Sequence, residues 1–525
     1  MESRMLTEAE VRRNAYYDSV QLMVVSEALR RLPGIKQAMV VMGSENNRQI
    51  LREIGLATAL TDAATANDLI VAFAADGPAA LDMGALELER LLAAGVRKEM
   101  GREFHRSVAA AAAAVPGANL CLISVPGAYA PMVAEEALAA GLHLLIFSDQ
   151  VPLAEERRIK ELARSKGLLC MGPDCGVANL NGIALLTGSI VRRGPIGIVG
   201  ASGSGIQQIT VIAEREGVGI SQAIGTGGRD LKDEVGGLSM LAGIDALEAD
   251  PQTEVIVLVS RTPGRRTLSA VLDRVGRCMK PVVIHFIGGD TSLIKRTGAV
   301  PSGNLEEAAS RAIAIVRGQQ EDAQPFSLAA GDIDAMVAQA CRGMARSQRY
   351  LRGLFCGGTF CEEGMAILAD LVGEIRSNSP LRPHLRLASS TESVAHSVVD
   401  YGEEEFTRGR PHPVIDPEQR RLGILRDGAD PEVAVLLLDF ILGPAVHRDP
   451  AGAVADTIRE VRSRAEWEGR SLAIVASVCG TEGDPQRLSR QETILREAGA
   501  LVMPTNIQAA RLAGRIIAHQ ARRPA

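Results

Sequence analysis

The stretch GIVGASGSGIQQITVIAEREG, residues 197–217, runs from an apolar strand-like run through a cluster of glycine and serine into a helical pattern. Strand, glycine turn and helix in that order make the β-to-α connection of a parallel sheet. Ligands of such sheets settle beyond the carboxyl ends of the strands, where a helix start presents unpaired N–H groups and the positive end of its dipole. Gly200, Gly203 and Gly205 permit close backbone approach there, and Ser202 and Ser204 can cap the helix or donate to an oxyanion. A second turn, CGGTFCEEG at 356–364, offers the same equipment in Gly357, Gly358 and Thr359. Either turn alone is also an ordinary β-to-α connection. Their recurrence at matching places in two units points to phosphate binding. The chain contains no GxxxxGK[ST], so a P-loop ATPase is not supported.

Outward from this stretch the chain alternates strand and helix. NLCLISVPGAYAPMVAEEALAAGLHLLIFSD reads as a right-handed βαβ crossover, and ERRIKELARSKG followed by LLCMGPDCG as a second. The predicted class is α/β: a small N-terminal α/β module over 1–62, a doubly wound or Rossmann-like domain over 63–193, a further parallel unit over 194–325, and a similar unit over 345–525. The polar RGQQEDAQPFSLAAGD between the last two reads as a linker. Within the first domains DLIVAFAAD is a strand, LELERLLAAGVRKEMGREF a surface helix or hinge, and SENN at 44–47 a helix cap. The turns VPGAY (125–129), GPDCG (172–176) and GTGGRD (225–230) also stand at strand ends, so Gly227, Gly228 and Arg229 are candidates to line a ligand cleft.

A chain of 525 residues exceeds one core, and 46% hydrophobic with 23% charged residues is globular composition. A formal charge of −6 gives no drive towards nucleic acid or an anionic membrane. The start is too polar for a signal peptide and no apolar run approaches the roughly 20 residues of a membrane span, so a cytoplasmic protein is expected. Eight cysteines without a CxxC pair favour reduced thiols, and eight scattered histidines show no metal-ligand spacing, so no metal is expected. His285 lies in an apolar strand and reads as core. His447, in GPAVHRDP beside Arg448 and Asp449, is a candidate catalytic or anion-contacting residue.

The run GLHLLIFSDQVPLAEERRIKELARSKGLLCMGPDCGV, then GIVGASGSG, GISQAIGTGGRD and DPQTEVIVLVS, resembles the alpha subunit of succinyl-CoA synthetase, and the region after about 345 is similar to that enzyme's beta-subunit carboxy-terminal domain. With DSVQLMVVSEAL, RGLFCGGTFCEEG and LDFILGPAVHRDP added, the whole chain resembles the FdrA family within that superfamily. The resemblance implies a CoA-binding-type Rossmann domain followed by two flavodoxin-like domains. It also implies an oxamate carbamoyltransferase subunit that interconverts carbamoyl phosphate and oxamate with phosphate and oxalurate in allantoin degradation, working with companion subunits. The synthetase's phosphohistidine loop would fall at SLIKRTGAVPSG, which has no histidine, and no ATP-grasp domain stands between the two sister units. On this reading no cofactor is required, CoA being possible if the ancestral cleft is retained. Gly203, Ser204 and Gly205 with Gly357, Gly358 and Thr359 would hold phosphate or the oxyanion, and Arg229 or His447 would meet the oxamate carboxylate or carbonyl. An acyl-CoA synthetase subunit and a non-catalytic scaffold subunit are the alternatives.

Overall fold

The computed structural model of the chain describes residues 6–15, 17, 19–99, 105–319, 326–407 and 411–522. It divides into two compact units, residues 1–105 with 407–411, and 106–406 with 412–525.

The first unit is built on three antiparallel strands, β1 (Leu6–Arg12), β2 (Ile35–Met42) and β3 (Leu69–Ala75), in the order β1-β3-β2. Every residue of β3 is buried, so the strand needs a neighbour on each edge, and β1 and β2 supply them. The boundary expected at 62 is therefore corrected: it would cut this sheet before its central strand. Pattern reading missed β1 because LTEAEVR is polar and half-exposed. Residues 86–99 of the segment read as a surface helix or hinge form the later part of the helix Pro78–Glu99, in which Leu88 and Leu92 are buried, and its residues 100–104 lie outside the described residues.

The second unit holds three sheets. The first is parallel, β4 (Leu120–Ile123), β5 (His143–Ile146) and β6 (Cys170–Met171), joined by the helices Ala130–Ala139 and Leu153–Ser165. It is a three-stranded α/β layer, shorter than the Rossmann-like domain expected over 63–193. The next strands, β7 (Val177–Leu180) and β8 (Ile183–Leu186), leave it as an antiparallel hairpin and join the second sheet beyond the expected boundary at 193.

That second sheet adds β9 (Arg193–Ala201), β10 (Ile220–Gly225), β11 (Val255–Ser260), β12 (Val282–Phe286) and β13 (Val300–Pro301), in the order β13-β12-β11-β9-β10-β7-β8. The third comprises β14 (Tyr350–Phe355), β15 (Arg376–Ser377), β16 (Ser397–Asp400), β17 (Val433–Ile441), β18 (Ala473–Cys479) and β19 (Leu501–Met503), in the order β15-β16-β14-β17-β18-β19. Without the extra edge strands, both follow the flavodoxin-like order 2-1-3-4-5, all parallel. The central strands β11 and β17 are buried along their whole length, as apolar runs covered on both faces must be.

One hydrophobic cluster joins these two sheets. It draws Ile209 and Ile212 from the helix Gly203–Arg215, Ala308 and Ala312 from Leu305–Arg317, Phe360 and Met365 from Gly358–Val372, and Leu512 and Ile516 from Asn506–Ala521. The loop after β8 runs along the far sheet's strand-end loops: Leu186 C=O accepts from Ala445 N–H (3.0 Å), Ile190 N–H donates to Asp484 (2.8 Å), and Thr481 Oγ1 donates to Ile190 C=O (2.7 Å). The expected linker lies partly outside the described residues. All eight cysteines are free, Cys121 and Cys278 half-buried and the others buried. No helix among the described residues is long and apolar enough to cross a membrane.

Candidate functional site

The two glycine turns meet. Ser202 caps the helix Gly203–Arg215 by accepting the Gly205 N–H (3.1 Å), and its hydroxyl lies 2.6 Å from Thr359 Oγ1 in the first turn of the helix Gly358–Val372. A Cβ on Gly357 would stand 3.1 Å from Ser204 Cβ, so the bare backbone of one turn is what admits the other. The first N–H groups of the two helices, from Gly203 and Ser204 on one side and Gly358 and Thr359 on the other, belong to helix starts with no intrahelical acceptor. Two positive helix ends thus converge on one seam.

The remaining glycines have packing reasons as well. A Cβ on Gly200 would lie 2.7 Å from Ile206 and Val259 side-chain atoms, and one on Gly205 would lie 2.3 Å from Ser202 Oγ. Gly203 has more room, with Val177 Cγ2 nearest at 3.4 Å. Gly227 combines a φ of +85° with a Cβ position 2.2 Å from Pro173 C=O, and a Cβ on Gly228 would lie 3.9 Å from Asp174 Oδ2. Both therefore stand against the turn 172–175.

Charge enters the seam from residues that sequence reading did not single out. Arg261, just past β11, sets Nε 3.1 Å from Glu362 Oε1, Nη2 3.7 Å from Asp400 Oδ2 and Nη1 4.0 Å from Glu403 Oε1. A Cβ on Gly358 would lie 2.1 Å from Arg261 Nη2 and 2.8 Å from Asp400 Oδ2, so this glycine is the floor on which the pair stands. Burial pushes Asp400 up to about 7, with Arg261 opposing and Glu403 and Asp439 adding to the rise. Burial and Asp149 push Asp174 up to about 6 against the pull of Arg229 and Arg261. The site therefore holds two carboxyl groups whose protonation changes near neutrality.

Beneath the second turn lies an internal anion. Asp439, in the middle of the apolar β17, accepts the N–H groups of Cys356 (2.7 Å) and Gly357 (2.8 Å). Arg420 balances it at 3.1 Å and also donates to Cys356 Sγ (2.8 Å). The backbone just before the second helix is thus already committed. Burial pushes the Cys356 thiol up to about 12, which makes it a packed group and not a nucleophile.

Two expected site residues are engaged by other partners. Arg229 donates to Val151 C=O (2.7 Å) and pairs with the buried Glu156 (2.8 Å), which also holds the buried Lys160 at 2.9 Å. It therefore ties the loop 227–230 to the helix Leu153–Ser165, a structural commitment that its expected role as a free clamp did not include. His447 accepts the Asp449 N–H at Nδ1 (3.0 Å), while its backbone bonds Val414 and Gln486. His285 is buried on β12 with Nδ1 3.2 Å from Ser302 C=O, the core placement expected of it.

Comparison with known proteins follows the same division. A CoA-ligase family profile matches residues 354–516, a CoA binding domain profile residues 191–288, and a profile described as AllF, heavy metal-associated domain, residues 5–107. The uncharacterized protein YahF of Escherichia coli (strain K12) is 38% identical over 97% of this chain and 98% of its own length. The chain belongs to the YahF family. Parts of this YahF-family chain are also similar to the alpha subunit of succinate–CoA ligase [ADP-forming], 30% identical in Aquifex aeolicus (strain VF5) over 35% of this chain and 60% of that one. Among solved structures, a dinucleotide-forming acetyl-coenzyme A synthetase of Ca. Korarchaeum cryptofilum aligns over 81% of this chain and 87% of its own at 17% identity and a TM-score of 0.32. ATP citrate lyase of Methanothrix soehngenii aligns over 80% and 85% at 14% identity and a TM-score of 0.37. Residues 1–105 contain no cysteine, so the heavy-metal-associated likeness of the first unit comes without thiolate ligands.

Proposed function

We propose that this chain is the acyl-transfer part of a CoA-ligase-type enzyme and works on an acyl phosphate. The observation that carries the reading is the meeting of the two glycine turns, with Ser202 and Thr359 in contact and Arg261 beside Gly358. An acyl phosphate needs its dianionic leaving group held, its carbonyl oriented and its developing oxyanion stabilised; paired helix starts and a guanidinium supply these. CoA, as a thiol, is the acceptor that the CoA-ligase and CoA-binding likenesses favour. Companion subunits would supply any nucleotide-dependent activation.

A second reading keeps the same donor chemistry and changes the acceptor: carbamoyl phosphate with oxamate, giving phosphate and oxalurate, as the FdrA resemblance implies. It is favoured by the segment Ser292–Gly303, which has no histidine to ferry a phosphoryl group, whereas carbamoyl phosphate arrives already activated. The test is to incubate the purified chain, alone and with the products of neighbouring genes, with acetyl, succinyl or carbamoyl phosphate and either CoA or oxamate. Phosphate release with thioester formation supports the first reading, and phosphate release with oxalurate the second. Co-purification with the partners but no transfer to either acceptor overturns both in favour of a scaffold subunit.

A further inference from the structure

The acyl-transfer reading leaves open where the acceptor's proton goes. Asp400 ends β16 and is 2% exposed. Asn378 pins its backbone from both sides, Oδ1 accepting the Asp400 N–H (2.9 Å) and Nδ2 donating to its C=O (2.9 Å). One carboxylate oxygen, Oδ1, accepts the Gly402 N–H at 2.8 Å. The other, Oδ2, accepts no hydrogen bond from the described residues. Its nearest cation, Arg261 Nη2, stands 3.7 Å away, beyond hydrogen-bond range, and a Cβ on Gly358 would lie 2.8 Å from it. Oδ2 thus lies beside the helix start that would hold the leaving phosphate.

We propose that Asp400 takes the proton of the incoming nucleophile during acyl transfer, with Arg261 positioning its carboxylate and Gly358, lacking a Cβ, letting both groups stand against the helix start. The inference rests on the acyl-transfer reading. In the step, the nucleophile's sulfur or nitrogen bonds to the carbonyl carbon and the carbon–oxygen bond to phosphate breaks. Phosphate leaves with that electron pair, and the S–H or N–H proton passes to Asp400 Oδ2. The reverse reaction returns it. Arg261, Glu403 and Asp439 exert their charge on this carboxyl, Glu362 holds the far side of Arg261, the buried Cys361 thiol stays neutral, and His412 approaches Gly402 opposite Oδ1. Burial pushes His412 down to about 4, so it stays neutral while Asp400 titrates near 7.

The experiment uses sulfate as a non-titrating dianion and follows its binding calorimetrically from pH 5.5 to 8.5 on the full chain. The wild type is expected to lose about tenfold in affinity as Asp400 ionises beside the site. Asp400→Asn is expected to flatten that dependence, and Glu403→Gln, at a half-exposed position, to move its midpoint to lower pH by removing a neighbouring negative charge. In the transfer assay Asp400→Asn is expected to lower kcat by about 10²–10⁴-fold with KM for the acyl phosphate little changed. Sulfate binding whose pH dependence survives Asp400→Asn, an unmoved midpoint in Glu403→Gln, or an unchanged kcat overturns the role of Asp400 while the acyl-transfer reading stands. Absence of sulfate binding at every pH overturns both.

Discussion

The two glycine turns occupy the same place in sheets of the same strand order, yet their backbones are held differently. In the first, a neutral hydroxyl, Ser202, caps the helix and touches the other turn. In the second, the amides that precede the helix are filled by the carboxylate of Asp439, itself held by the buried Arg420. The difference teaches that likeness of turn is not likeness of binding capacity. The first turn offers hydroxyl and amide donors, while the second carries its own anion and has Arg261 beside it among Glu362, Asp400 and Glu403.

The largest effect that separates the turns is on stability. Asp439→Asn replaces an acceptor of two amides by a group that presents an NH₂ to one of them and leaves Arg420 uncompensated, so a loss of about 3–5 kcal/mol is expected in urea unfolding. Ser202→Ala, the corresponding removal in the first turn, should cost about 1 kcal/mol. Equal losses would erase the distinction.

Next comes the room each turn leaves. Gly358→Ala drives a methyl group between Arg261 and Asp400; it should abolish sulfate binding in titration while costing about 1–3 kcal/mol of stability. Gly203→Ala meets only Val177 at 3.4 Å and should stay within about 0.5 kcal/mol of wild type. If both behave alike, the second turn is not the one that Arg261 serves.

A smaller effect is expected from pH. Asp400 and Asp174 titrate in the folded protein near 7 and 6, above their ordinary range, so the folded state binds more protons than the unfolded one between about pH 4 and 7. Their contribution is present below that window and is lost as pH rises through it. Thermal melts of Asp400→Asn should therefore fall less between pH 5 and 8 than those of wild type. The smallest effect is the contact itself: a double-mutant cycle of Ser202→Ala with Thr359→Val should give a coupling of about 0.5–1 kcal/mol.

Much of the second unit was legible because parallel strands covered on both faces must be written as apolar runs, and most runs here end in a glycine-bearing turn. The first unit's extent was not, since β1 carries Glu8, Glu10 and Arg12 and is recognisable only through its pairing with β3. The turns at Gly203 and Gly358 could be named from sequence, but their charged companions could not. Asp439 and Asp400 lie in or at the end of apolar strands, where a buried charge acquires meaning only from Arg420 and Arg261, which arrive from elsewhere in the chain. The usable signal was a charged residue interrupting or closing such a strand, as in VIVLVSR, SVVD and VLLLDF. The pairing of Arg229 was hidden for a similar reason: its buried partner Glu156 lies on a helix of another layer.

The loop after β8, tied by Leu186 and Ile190 to Ala445, Thr481 and Asp484, has a consequence for how the protein behaves in a test tube. Because both sister sheets belong to one polypeptide, their turns come together as the chain folds, and the encounter draws on no free partner. Dilution cannot pull them apart. At low protein concentration the seam between Ser202 and Thr359 therefore stays intact.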